Sequence, residues 1–157
     1  MKWKSFKKRN VYISGGSSGI GLLTAEKFAG LGANVFIFAR DESRLQNADA
    51  TIKKQRRNSS LTVFCSPVDI TDPREVQDAI DGTVKKYGAP DILINCAGRA
   101  IPDDVESITH DRFMQTLKIN LFGTWNMISS ALPYMKKNGG TIVNTSSVAG
   151  FLGIYGY

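Results

Sequence analysis

The amino-acid sequence predicts an α/β fold, a doubly wound parallel sheet with helices on both faces. Three observations carry this. Five short apolar runs alternate with helix-patterned segments along the 157 residues. One run, residues 35–39 (Val-Phe-Ile-Phe-Ala), is apolar throughout, as suits a strand covered on both faces. Each pair of runs is separated by enough chain for a crossover helix, so successive strands run parallel, and right-handed crossovers wind the sheet.

The elements follow in order. Residues 11–14 form the first strand, and a glycine-rich turn follows it. Residues 20–31 then place Ile20, Leu23, Phe28 and Leu31 at near-helical spacing, and Gly32 ends that helix. Residues 42–57 are polar except for Leu45, Ala48 and Ile52 on one face, a surface helix. Residues 61–65 are the third strand. Asp72 and Pro73 supply an N-cap and a first helical residue, and Val76, Ile80, Val84 and Tyr87 form the apolar stripe that follows. Residues 92–94 are the fourth strand. The longest helix spans residues 111–136, with a predicted buried stripe of Phe113, Leu117, Leu121, Trp125, Ile128, Leu132 and Met135. Pro133 falls near its end, Asn138-Gly139-Gly140 is a turn, and residues 141–145 are the fifth strand.

This length suits one domain, assigned to residues 10–157 after a basic leader of residues 1–9. No apolar run approaches the ~20 residues that span a bilayer, and the N-terminus lacks the apolar centre of a signal peptide. The expected location is the cytoplasm, or the cytosolic face of a membrane. Cys65 and Cys96 are too few for a disulfide framework and sit in apolar runs, which predicts buried free thiols. Five of the first nine residues are basic and nearly account for the net charge of +6. With Trp3 and Phe6 among them, this leader is equipped to touch an anionic membrane surface or nucleic acid; a solvated leader is the simpler reading. The rest of the chain has no basic stripe with interleaved aromatics, which argues against a nucleic-acid module.

In a doubly wound sheet, ligands bind beyond the carboxyl ends of the strands. Ser14-Gly15-Gly16-Ser17-Ser18-Gly19-Ile20-Gly21 stands there after the first strand. Glycines at 15, 19 and 21 allow a tight turn, approach of a pyrophosphate, and close helix–strand packing, while the helix N-terminus offers N–H groups to phosphate. This predicts a Rossmann-type sheet that binds a nicotinamide dinucleotide. After the second strand, Arg40 suits a 2′-phosphate, which favours NADP(H) over NAD(H); the alternative makes Arg40 merely exposed and Asp41 the ribose ligand. Asp69 falls where the adenine edge would rest, or caps its local turn. In Asn95-Cys96-Ala97-Gly98, Asn95 is placed to pin neighbouring strands, and Ala97 and Gly98 leave room for a cofactor. Asn120 lies within the longest helix, beside the predicted stripe, where its amide needs a partner. A distorted turn that holds a water would supply one, as would a neighbouring carbonyl. Ser147, after the fifth strand, is the candidate hydroxyl facing nicotinamide and substrate.

Together these pieces resemble the short-chain dehydrogenase/reductase family. The matches are Gly15-x-x-x-Gly19-Ile20-Gly21, Asn95-Cys96-Ala97-Gly98, Asn120 and Ser147-x-x-Gly150, in order and in register from about Val11 onward. The first motif opens with Ser14 rather than the usual Thr, and Cys96 replaces a second Asn. Within the family, these motifs, Ala39-Arg40-Asp41-Glu42 and the closing stretch of residues 150–157 look like the 3-ketodihydrosphingosine reductases. The resemblance implies reduction of a carbonyl or oxidation of an alcohol with NADP(H), on a substrate such as a long-chain keto amine. Other ketones of steroid, sugar or acyl type are the alternative, as is a non-catalytic dinucleotide-binding protein. Ser147 would hydrogen-bond the substrate oxygen and Asn120 would anchor a proton-relay water. The family's Tyr-x-x-x-Lys pair occurs nowhere in the 157 residues, and Tyr155 and Tyr157 fall too early for it. The expectation is a chain cut just before the pair, inactive as it stands. The complete form is expected to be a homo-oligomer, and peripheral contact with a membrane fits the basic leader.

Overall fold

The computed structural model describes residues 6–154. Its five strands are β1 (Asn10–Ser14), β2 (Asn34–Ala39), β3 (Val63–Pro67), β4 (Ile92–Asn95) and β5 (Thr141–Asn144), all parallel, in the order β3-β2-β1-β4-β5. The helices α1 (Gly19–Gly30), α2 (Glu42–Gln55), α3 (Pro73–Tyr87), α4 (His110–Leu117) and α5 (Thr124–Met135) link them. The strand order reverses beside β1, so a crevice opens past the carboxyl ends of β1, β2 and β4. This is the doubly wound Rossmann-type sheet expected of the sequence.

Alternation along β1 divides the core into two layers. Val11 and Ile13 pack with Ala25 and Ala29 of α1 and Leu45, Ala48 and Ile52 of α2. Tyr12 points the other way, against Phe36, Phe38, Val76 and Ile80, with Met127 and Ala131 of α5. Between the two layers Val11, Tyr12 and Ile13 of β1 and Val35, Phe36, Ile37 and Phe38 of β2 are fully buried. Asp72 caps α3 through bonds from the amides of Arg74 and Glu75, with Pro73 at its first position, as its sequence predicts. Cys65 and Cys96 are free thiols, each half-buried rather than fully so.

Three expectations need correction. First, β3 begins two residues later than the sequence pattern indicates, because pairing fixes it: Val35 faces Val63 and Ala39 faces Pro67. Second, α1 buries Gly21, Ala25 and Ala29, whereas Ile20 and Leu23 are 65% and 61% exposed. Helix and strand approach so closely here that only small residues fit between them, and the larger apolar ones are turned outward. Third, the long helix is not continuous. A π-helical segment, Lys118–Gly123, separates α4 from α5. Each π turn carries more residues than an α turn, so a stripe counted at 3.6 residues per turn loses its phase. Leu121, Trp125 and Leu132 consequently face outward, while Asn126, Met127, Ser130, Ala131 and Met135 are buried; Phe113 is exposed as well, on α4, which buries none of its residues.

The basic leader is partly built into the domain. Phe6 packs edge-on against Phe28, the Lys8 amide donates to the Gly32 carbonyl, and Arg9 pairs with Asp91. Trp3, Tyr155 and Tyr157, singled out in the sequence, lie outside the described residues.

Candidate functional site

At the end of β1 the chain turns sharply. Gly15 has φ +71°, and its amide donates to the Phe38 carbonyl. A Cβ on Gly15 would stand 2.6 Å from the Ala97 amide nitrogen, and one on Gly21 would stand 2.3 Å from the Gly15 carbonyl oxygen. No side chain fits at either place, so the turn, α1 and the β4 loop close on one another only with glycine there. Ser14, fully buried, donates from Oγ to Asn95 Oδ1, and Asn95 Nδ2 donates to Asn144 Oδ1. These bonds tie β1, β4 and β5 together at their carboxyl ends, the pinning role expected of Asn95.

The N-termini of the helices differ in a telling way. Asp41, Asp72 and Thr109 each accept a main-chain N–H at the start of α2, α3 and α4. Ser18 stands at the same place before α1 and makes no such bond, and the first turn of α1 has no acidic residue. Gly19, with φ +53°, borders open space. The first N–H groups of α1 therefore lack a side-chain acceptor and suit an anion.

Beside this turn lies a cleft of about 220 Å³. Of the expected site residues it gathers Gly15, Ser17, Arg40, Asp69, Ala97 and Gly98. Phe38, Arg44, Ile70, Thr71, Arg99 and Ile119 also line it and were not foreseen. Arg44 lies in the first turn of α2, three residues after its N-cap Asp41, and it is the fold that brings it to the same opening as Arg40. Ser18, Gly19, Ile20 and Gly21 form the start of α1 and lie outside this lining.

The carboxylates of the cleft are already engaged. Asp41 Oδ1 accepts from the Arg44 amide and from Ser43 Oγ, and these bonds hold its carboxyl below the ordinary carboxylate range. Its Oδ2 lies 3.5 Å from Arg44 Nε. Asp69 Oδ1 accepts from the Thr71 amide and hydroxyl, so Asp69 does cap its local turn while lining the cleft. Asp69 Oδ2 stands 3.9 Å from Arg40 Nη1.

The two expected catalytic residues lie apart from the cleft lining. Asn120 falls in the π-helical segment, the distorted turn anticipated for it, but it is exposed rather than beside a buried stripe. Its side chain clasps a neighbouring main chain: Oδ1 accepts from the Arg99 amide and Nδ2 donates to the Arg99 carbonyl, both at 2.8 Å. The side-chain amide is thereby satisfied, and a Cβ on Gly98 would come within 3.2 Å of it. Ser147 is exposed after β5 and caps the short 3₁₀ turn Val148–Gly150 by accepting from the Ala149 amide.

The family model for short chain dehydrogenases matches residues 9–157. The chain belongs to the short-chain dehydrogenase family. Among relatives of known name, 3-dehydrosphinganine reductase from Danio rerio is 33% identical over 150 residues, 94% of this chain and 45% of that protein. The 3-hydroxyacyl-CoA dehydrogenase type-2 of Homo sapiens is 35% identical, covering 98% of this chain and 61% of that protein. The solved structure of an NAD⁺-bound xylitol dehydrogenase superimposes with a TM-score of 0.91 at 27% identity, over 98% of this chain and 58% of that one. The chain thus spans about half the length of the curated relatives it matches. As a short-chain dehydrogenase domain it is similar to proteins whose names point to chemically different substrates.

Proposed function

We propose that this chain binds NADP(H) in the cleft at the end of β2 and forms the cofactor-binding part of a carbonyl reductase or alcohol dehydrogenase. One observation carries the choice of cofactor. Arg40 and Arg44 both open into the cleft, while Asp41 and Asp69 have oxygens committed to main-chain amides and hydroxyls. Two guanidinium groups suit a 2′-phosphate, with which they form charge-assisted paired bonds. The uncapped N-terminus of α1, next to the turn at Gly15, suits the pyrophosphate. Ser17, Ala97 and Gly98 would line the path between these ends.

Bound nicotinamide supplies the hydride. The residues of this chain supply position and polarity. Ser147 would donate a hydrogen bond to the substrate oxygen as it gains charge, which requires its hydroxyl to keep its proton while Oγ accepts from Ala149. Asn120 would act through its main chain and the π-helical segment around it, since its amide is held by Arg99; there it would anchor a water for proton relay. The substrate we favour is a long-chain keto amine, in keeping with the similarity to 3-dehydrosphinganine reductase. The hydroxyacyl-CoA dehydrogenase among the relatives favours a 3-oxoacyl ketone as the second reading.

Titration calorimetry with NADPH and NADH tests the cofactor. NADPH should bind about 10-fold or more tightly, the worth of one charge-assisted bond, and Arg40→Asp should reverse that order. Equal affinities for the two in the parent chain would remove Arg40 and Arg44 from the role.

A further inference from the structure

We infer that Arg99 is a third arginine of the cleft that holds the bound dinucleotide, and that it does so at the pyrophosphate; this rests on the reading of the cleft as a dinucleotide site. The guanidinium-bearing residues that line the cleft are Arg40, Arg44 and Arg99. Two of them already face a carboxylate. Arg40 Nη1 stands 3.9 Å from Asp69 Oδ2, and Arg44 Nε stands 3.5 Å from Asp41 Oδ2. Among the described residues, Arg99 has no carboxylate within ion-pair reach. Its main chain is spent as well. The Arg99 amide donates to Asn120 Oδ1, and its carbonyl accepts from Asn120 Nδ2. What Arg99 has left to offer a ligand is its side chain, on a backbone fixed at two points.

The order of the strands selects the part of the dinucleotide that this side chain meets. β1 lies between β2 and β4. Arg40 follows β2 and Arg99 follows β4, so the two stand on opposite sides of the glycine turn that ends β1. Adjacent strands are ~4.8 Å apart, which puts about 10 Å between the chain leaving β2 and the chain leaving β4. A ligand with its 2′-phosphate at the β2 end must cross the turn before it reaches β4. The group over the turn is the pyrophosphate, received by the uncapped start of α1. The chain after β4 touches that same turn: the Ala97 amide lies 2.6 Å from where a Gly15 Cβ would stand. Arg99 follows two residues later.

Charge makes the same selection. Residues 14–25, the glycine turn and the first part of α1, contain no charged side chain. They meet the pyrophosphate with N–H dipoles alone. With Arg40 and Arg44 on the 2′-phosphate, Arg99 is the remaining cation of the cleft lining. A guanidinium presents paired donors to two phosphate oxygens, which a dipole does not replace. Arg99 is exposed, so it closes over the ligand from the solvent side.

Titration of the 157-residue chain with NADPH, NADH and adenosine 2′-monophosphate tests the assignment. The last of these carries the 2′-phosphate and no pyrophosphate. Arg99→Ala should weaken NADPH and NADH alike, by about 10-fold, the worth of one charge-assisted hydrogen bond. Its affinity for adenosine 2′-monophosphate should match the parent's. Arg99→Lys keeps the charge without the planar fork and should fall between the two. Arg112→Ala removes the same charge from a side chain paired with Asp103 outside the cleft lining, and should bind all three ligands as the parent does. Circular dichroism checks that each variant is folded. Four results would overturn the role of Arg99: dinucleotide affinities unchanged in Arg99→Ala, a loss with NADPH but not NADH, an equal loss with adenosine 2′-monophosphate, or an equal loss in Arg112→Ala. Failure of the cofactor site itself has a different signature: the parent chain then binds neither dinucleotide, and both readings fall together.

Discussion

Cys65 sits on β3 beneath α2, its Sγ 3.9 Å from Asp49 Oδ1. Burial, reinforced by the Asp49 carboxylate, pushes the thiol up to about 12. Its reactive thiolate is therefore scarce at neutral pH. Iodoacetamide at pH 8 should modify Cys65 at least about 10-fold more slowly in the folded chain than in urea, from the lower thiolate fraction. The raised value also has a sign for stability. The folded chain holds this proton more tightly than the unfolded one, so the contribution is complete below the ordinary thiol range and is lost as the pH rises toward 12. Unfolding midpoints in urea should fall across that alkaline window and become less steep in pH for Cys65→Ala. Gly15 illustrates the opposite kind of residue, one required for what it lacks. With a positive φ and the Ala97 amide 2.6 Å from where its Cβ would lie, Gly15→Ala should abolish NADPH binding and lower stability by about 1–3 kcal/mol. Unchanged binding and thermal midpoint would contradict this.

Between elements, a single amide connects the cleft to α5. Asn126 is buried, and its Nδ2 donates to the Ile70 carbonyl in the loop between β3 and α3. Ile70 lines the cleft and packs over Gly123, where a Cβ would come within 2.4 Å of its Cδ1. Asn126→Leu leaves a buried carbonyl without a donor, and should cost about 1–3 kcal/mol by urea unfolding. The helix caps give smaller effects. Asp72→Ala removes bonds to the amides of Arg74 and Glu75 and should cost about 1 kcal/mol, a few degrees in Tm. Elements were legible in the sequence where local chemistry decides them. Asp72-Pro73 marks a helix start whatever lies nearby, and Leu45, Ala48 and Ile52 are buried as their spacing requires. Stripes failed where a neighbour or a change of helical period decides them. On α1 the close approach of β1 selects Gly21, Ala25 and Ala29 for the interior. Along the long helix, the π-helical segment shifts every later residue around the axis.

For the whole molecule, unpartnered surface is the dominant feature. β5 is an edge strand with Val143 exposed, and Phe113, Leu121, Trp125 and Leu132 show on the outer face of α4 and α5. Exposed edges and apolar faces recruit copies. The 157-residue chain should elute larger than a monomer in size-exclusion chromatography, increasingly so with concentration. A sharp, reversible monomeric transition at all concentrations would contradict that. The same chain should show no turnover of ketone with NADPH, because no Tyr-x-x-x-Lys is present to move the proton. Measurable carbonyl reduction by the purified chain would refute that reading of its chemistry.

The sequence by itself determined the class of fold, the glycine turn and the family. Each depends on local pattern: alternation of apolar runs, a glycine cluster between a strand and a helix, and motifs in fixed order. It also singled out Asn95, which does tie β1 to β4 and β5. Only the tertiary structure decided which oxygens of Asp41 and Asp69 are already bonded, that Arg44 joins Arg40 at the cleft, and that the Asn120 amide is spent on Arg99. The physical reason is common to all of these. Hydrogen bonds and charges act through space at a few ångströms, between residues that stand tens of positions apart in the chain, and spacing along the sequence carries no record of that meeting.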